Sequence, residues 1–92
     1  MSQISYRCEH EKWGNVEVQT GWDRVTQTFH WTVFGREDEI LDSDWISPDM
    51  SAFGVCLHLR GLGLEVPEGL EEALRDHKEQ NLGNVVVRMG VK

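Results

Sequence analysis

Two cysteines, Cys8 and Cys56, each stand two residues before a histidine, His10 and His58. A repeated Cys-x-His pair is half of what a structural zinc site uses, because zinc takes four nitrogen or sulfur ligands, commonly as two close pairs. Local geometry argues against such a site here. On a strand Cys8 and His10 share a face. On a helix Cys56 and His58 point roughly 200° apart, so one residue of that pair faces away. A Cys–His nucleophile would need a thiol of lowered pKa and an oriented base, and neither cysteine lies in a motif that supplies them. The expectation is two buried free thiols, with no metal, no cofactor and no catalytic residue.

The other candidates for chemistry are histidines and carboxylates. His30 falls on the polar side of a strand pattern and is expected in solvent. His77 falls on the inward side of a helix pattern and is expected as a satisfied core or boundary histidine. Asp42 and Asp44 have the types for acid–base work, but that work needs a cleft and shifted pKa values. On a short strand beside a surface turn they read as exposed. The glycines of "RGLGLE" (60–65) follow a helix pattern and not a strand, which is the wrong context for a phosphate-binding loop.

The elements that position these residues follow from hydrophobic period. Ile4, Tyr6 and Cys8 alternate with polar residues, the pattern of a half-buried strand. "KWGN" (12–15) makes a turn. "VEVQT" (16–20) is a second strand, with Val16 and Val18 on one face, and "GWDR" (21–24) is expected to begin a loop. "QTFHWTVFG" (27–35) is the strongest strand, with Phe29, Trp31 and Val33 on one face and β-branched and aromatic residues throughout. "GREDE" (35–39) is a polar turn and "ILDSDW" (40–45) a fourth strand, and the short spacings predict an antiparallel meander.

The period then changes. Ser47, Pro48 and Asp49 predict a helix start, with Ser capping, Pro in the first turn and Asp at the positive end of the dipole. Met50, Phe53, Leu57 and Leu64 recur at helical spacing. Gly61 and Gly63 offer a left-handed stop, with Leu64 folding back. Pro67 opens a second helix with Leu70, Ala73, Leu74 and His77 inward, and "NLGN" (81–84) ends it. "VVVRM" (85–89) is a last strand whose continuous valines suggest burial on both sides or a central place. The order β-β-β-β-α-α-β predicts a single α+β domain over 1–92, an antiparallel sheet of about five strands with both helices packed on one face.

Ninety-two residues support one modest core, and an apolar fraction of 39% with four tryptophans excludes a disordered chain. No apolar run approaches a membrane span, and "MSQISYRCEHEK" lacks an apolar signal core, so the expected location is the cytoplasm. The net charge is −7 and uneven: residues 36–79 hold twelve Asp and Glu against four Lys and Arg, a charge of −8, while the remainder is +1. This balance argues against direct binding to nucleic acid or an anionic membrane. It suits an acidic face aimed at a basic partner.

Two acidic rows stand out. On the fourth strand Ile40, Asp42, Asp44 and Ile46 share a face, and Leu41 and Trp45 the other. The tryptophan side must go inward, so the aspartates are expected to face water. On the second helix Glu68, Glu72, Asp76 and Glu79 form one stripe with neighbours about 5–6 Å apart, beside a conventional Glu71–Arg75 pair. To a partner that reads charge alone, such rows resemble a line of phosphates. Solubility is the competing use of the same residues. Trp31 and Trp45 are expected in the core. Trp13, at a hairpin turn, is as well suited to anchoring a partner as to local packing. Trp22 suits packing better, with anchoring as its alternative.

"VEVQTGWDRVTQTFHWTVFG" (16–35) resembles a segment of small uncharacterised proteins carried by bacterial plasmids and phages. Their pattern is a valine-rich strand, Gly-Trp-Asp-Arg and an aromatic strand. Val16, Val18, Gly21 to Arg24 and Phe29 match it, whereas Val25 stands where a proline would follow the arginine. The resemblance covers about a quarter of the chain and implies a mobile-element accessory protein, with no particular activity. Small acidic proteins of that kind are similar in size and charge to anti-CRISPR and anti-restriction inhibitors. The expected function is therefore a non-enzymatic DNA mimic. It would occupy a nucleic-acid-binding surface of a bacterial defence complex through Asp42, Asp44, Glu68, Glu72, Asp76 and Glu79, with Trp13 or Trp22 as anchor. The alternative is a structural or regulatory accessory protein of a plasmid or phage.

Overall fold

The computed structural model of the protein describes residues 2–47 and 51–90, and of residues 44–47 the backbone alone. The alternating first half forms β1 (Ser2–His10), β2 (Gly14–Asp23), β3 (Thr28–Phe34) and β4 (Ile40–Ser47), followed by α1 (Ala52–Gly61), α2 (Leu70–Glu79) and β5 (Val85–Arg88). The sheet order is β4-β3-β2-β1-β5. β1 to β4 pair antiparallel, and β5 lies parallel to β1, with Ser2 opposite Val85 and Ser5 opposite Arg88. The architecture is the expected α+β sheet-and-helix domain in the expected order, with a mixed sheet in place of a purely antiparallel one. Two helices, not a tight turn, connect β4 to β5, so the chain returns beside β1 in the direction of β1.

That placement corrects the central position expected of the valine run. β5 is an edge strand: Val85 and Val87 are half-buried and Val86 is 71% exposed. Valine suits a pleated strand wherever it lies, so composition alone does not separate an edge from a centre. "GWDR" does not begin a loop either. Gly21, Trp22 and Asp23 continue β2 opposite His30, Phe29 and Thr28, and the turn starts at Arg24.

The start of α1 lies later than expected. Ser47 belongs to β4, and the cap is Ser51, whose hydroxyl accepts from the Gly54 amide at 3.0 Å. Pro48, Asp49 and Met50 lie outside the described residues. The inward face of α1 is Ala52, Val55, Cys56 and Leu59, whereas Phe53 and Leu57, expected inward, are each 55% exposed. The stop is as expected. Gly63 takes a positive φ of 86° that a side chain would strain. The Leu64 amide bonds the Leu59 carbonyl, the Gly63 amide bonds that of Arg60, and Leu64 folds back into the core. On α2, Leu70, Leu74 and His77 are buried and Ala73 is half-buried, and Asn81 ends the helix in the left-handed region. Among the described residues no helix is long and apolar enough to cross a membrane.

Between the layers, Ile4, Tyr6, Val18, Trp22, Phe29, Trp31 and Val33 from the sheet meet Val55, Leu59, Leu70 and Leu74 from the helices. One atom in this core lacks a match: among the described residues the buried Tyr6 hydroxyl has no hydrogen-bond partner. Burial, with the neighbouring Cys8 and Cys56 adding to it, pushes the Tyr6 phenol well above its ordinary range. An unsatisfied buried polar group costs about 1–3 kcal/mol. Tyr6→Phe is therefore expected to leave the melting temperature unchanged or to stabilise the protein by about 1 kcal/mol. A clear loss in a thermal melt would show that the hydroxyl is bonded in solution.

Candidate functional site

The thiols and imidazoles of the two Cys-x-His pairs have different partners. Cys8 and Cys56 are free and buried, and burial raises the pKa of both thiols; for Cys8 a backbone hydrogen bond with Glu65 offsets part of the rise. A thiol held protonated in apolar surroundings is a weak nucleophile. His10 turns to the loop after α1. Its Nε2–H donates to the Leu62 carbonyl at 2.6 Å, Nδ1 accepts from the Lys12 and Trp13 amides at 3.0 and 3.1 Å, and the ring stacks on Trp13 at 4.1 Å. Among the described residues no group of three or more His, Cys, Asp or Glu is placed to hold a metal ion.

His58 joins a cluster that the linear sequence does not reveal. Its Nε2–H donates to Asp42 Oδ2 at 3.0 Å, and the Trp31 indole N–H donates to the same oxygen at 3.0 Å. The Trp31 and His58 rings lie 4.7 Å apart. Asp42 is thus half-buried and twice hydrogen-bonded, not the free surface charge expected. The register gives the reason. Asp42 stands opposite Val33, and Asp44 opposite Trp31. Directly opposed residues share a face, and Trp31 and Val33 belong to the core. At the sheet edge, Trp31 and His58 supply the donors that let a carboxylate sit there. The side chains of Asp44 and Trp45 lie outside the described residues. A carboxylate that orients an imidazole is one part of a catalytic set, but both thiols lie in the core rather than beside it. The cavity on the uncovered sheet face lined by Arg7, Asn15, Glu17, Arg36 and Asp38 contains neither cysteine nor histidine.

The acidic row of α2 is displayed as expected, with one correction. Glu72, Asp76 and Glu79 are exposed on the helix, while Glu68, also exposed, lies in the turn before Gly69 and Leu70 and so outside the helical stripe. The two cations of α2 are engaged elsewhere. Arg75 pairs with Glu71 one turn back. Lys78 places its ammonium 5.8 Å from the Trp22 ring and 5.9 Å from that of Phe29, a cation–π position over the sheet. Among the described residues no lysine or arginine pairs with Glu72, Asp76 or Glu79.

The two loop tryptophans separate. Trp13 is half-buried at the hairpin and keeps part of its surface free. Trp22 is 3% exposed, packs edge-on against Phe29, and donates its indole N–H to Asn81 at 3.0 Å. It is a core residue and unavailable as a surface anchor, because β2 continues through it. His30, expected in solvent, is 5% exposed and donates Nε2–H to the Ser2 carbonyl at 3.0 Å. The polar side of β3 does not translate into exposure because the start of β1 passes over this end of the sheet. His77 meets the Ser2 hydroxyl at 2.8 Å, a satisfied core histidine as expected. No protein-family model, no curated protein sequence and no solved structure matches the chain.

Proposed function

We propose that the protein is a non-enzymatic interaction protein that docks the acidic face of α2 on a basic, nucleic-acid-binding surface of a partner. An anti-CRISPR or anti-restriction inhibitor of a bacterial defence complex would act in this way. The observation that carries the reading is the row Glu72, Asp76 and Glu79, exposed and, among the described residues, without a lysine or arginine partner while both basic residues of the helix are turned to other partners. Neighbours in the row are about 5–6 Å apart, and the row is about 10 Å long. It is a rigid line of negative charge on a helix, suited to side chains that track a phosphate backbone. Trp13, partly free at the hairpin, is the remaining aromatic anchor. Asp42 is committed to Trp31 and His58 and drops out of the proposed surface.

Glu72→Gln, Asp76→Asn and Glu79→Gln together remove three charges with small changes in helix propensity. The triple variant should fold as the parent does, with mutual repulsion relieved. Labelled DNA bound to purified CRISPR effectors and restriction enzymes provides the readout by fluorescence anisotropy. The parent is expected to displace DNA from at least one of them, less well as salt rises, and the variant to need about tenfold more protein. Equal displacement by parent and variant would reduce the carboxylates to solubility, and no displacement from any of them would remove the inhibitor reading. The open outer edge of β5, with Val86 exposed, favours a second reading, an accessory protein that works through its sheet. Inhibition that survives the charge variant and fails on Val86→Lys would support it.

A further inference from the structure

Ser2, fully buried, lies where β1 meets four other elements. Its backbone begins β1 and pairs with Val85 of β5. Its hydroxyl accepts from the Trp22 amide of β2 at 2.9 Å and meets His77 Nδ1 of α2 at 2.8 Å. Its carbonyl accepts from His30 Nε2–H of β3 at 3.0 Å. Two buried imidazoles from different layers thus converge on one serine. Among the described residues β5 in turn pairs only with Ser2 to Ser5, since Val85 to Arg88 face those four residues and no strand lies on the other side. Ser2 anchors one end of that pairing, whose other end is Ser5, while Val87 and Met89 pack against the core.

We propose that His30, Ser2 and His77 form a latch that opens in acid, releasing the start of β1 and with it β5. The chemistry is proton addition alone. With both imidazoles neutral, the Ser2 hydroxyl can accept from Trp22 and donate to His77 Nδ1. A proton placed on that nitrogen turns it into a donor, so the serine hydrogen bond must reverse. A second proton on His30, which is buried on the other face of the sheet, puts another positive charge beside the Ser2 carbonyl.

The charges around the site oppose one another. The Ser2 carbonyl, which accepts from His30, and Asp23 on β2 favour the His30 cation, and Asp76 on α2 favours that of His77, whereas the chain's amino group disfavours the former. Lys78, next to His77, adds a positive charge on the same helix. Asp76 is exposed and Asp23 half-exposed, so solvent screens both. Burial dominates and holds both imidazoles below their ordinary value of 6.5.

The sign follows from linkage. A histidine whose folded pKa lies below its unfolded pKa binds more protons when unfolded, so stability rises with pH. The contribution is complete above about 6.5 and is lost as pH falls from there through the depressed folded values. The loss reaches the weakest element first. β5 has four residues and one neighbour, while β2, β3 and both helices meet in the main core without it.

Hydrogen exchange at pH 7.5 and 5.5, corrected for intrinsic rates, tests the latch. Protection of Val85 to Arg88 and of Ser2 to Ser5 is expected to fall by about tenfold or more at pH 5.5, while Val18, Val33 and Leu74 keep theirs. The His30→Gln, His77→Gln double variant should lose that difference. Should it fold poorly, the parent still decides. The NMR titration midpoints of the two histidine rings should coincide with that of the β5 amides. Unchanged protection of β5, a uniform loss across the sheet, or midpoints that do not coincide would overturn the proposal.

Discussion

Trp31→Ala is expected to destabilise the protein by about 3–5 kcal/mol, the cost of emptying a large buried aromatic site. Trp31 is 2% exposed on the helix-facing side of β3, and its indole N–H is one of two donors to Asp42. Alanine removes the ring from the core and leaves a half-buried carboxylate with His58 alone. In a domain this small each kcal/mol moves the melting temperature by roughly 4–8 °C, so the loss should exceed about 12 °C. Trp13→Ala provides the contrast. Its ring is half-buried and stacked on His10 at the hairpin, and its loss should be clearly smaller. Equal losses in thermal melts would mean that the hairpin end carries as much of the core as β3 does.

Gly21→Ala is also expected to destabilise the protein, for a different reason. A methyl group at Gly21 would run into the Ser2 backbone, lying 2.7 Å from its carbonyl carbon and closer still to the oxygen. A flexible side chain could move aside, but a strand backbone cannot without breaking its pairings. Overpacking of this kind costs about 1–3 kcal/mol and sometimes more. The strain also falls on a defined place. Ser2 must move, so the bonds from Trp22, His30 and His77 lengthen together. The variant should melt lower, and its β5 amides should exchange faster at neutral pH than those of the parent. Normal melting with unchanged exchange would show that the close approach of Ser2 to Gly21 does not exist in solution.

What was readable along the chain was local. Ile4, Tyr6 and Cys8, and Phe29, Trp31 and Val33, alternate with polar neighbours, and all six are buried on strands. Leu70, Leu74 and His77 keep the helical period and are buried on α2. Gly63 and Leu64 end α1 through bonds made within a few residues of one another. The acidic α2 row was legible for the same reason, since three and four residues along a helix fix which side chains are neighbours. Glu68 escaped the pattern because α2 begins at Leu70, three residues after the Pro67 expected to open it, with Gly69 as its cap.

Face assignment along a strand needs a reference, and β4 was referenced to Trp45. The pairing with β3 sets the face instead, with register shifts between Phe29 and Trp31 and between Val33 and Phe34. Between those shifts the register is regular, so Asp42 stands opposite Val33 and shares its face, where it meets Trp31 and His58. α1 likewise offers two apolar stripes, and the sheet selects Val55, Cys56 and Leu59 over Phe53 and Leu57.

The sequence by itself determined the element order, the α+β class, the free buried thiols and the acidic row of α2, because each depends on periodicity or on neighbours a few residues apart. Only the tertiary structure decided that β5 lies at an edge, that Trp22 and His30 are inside, and that Ser2 joins two histidines. Those facts depend on contacts between residues 20, 28 and 75 positions apart. No local propensity encodes such contacts; they exist only once the sheet has its order and the helices have covered one of its faces.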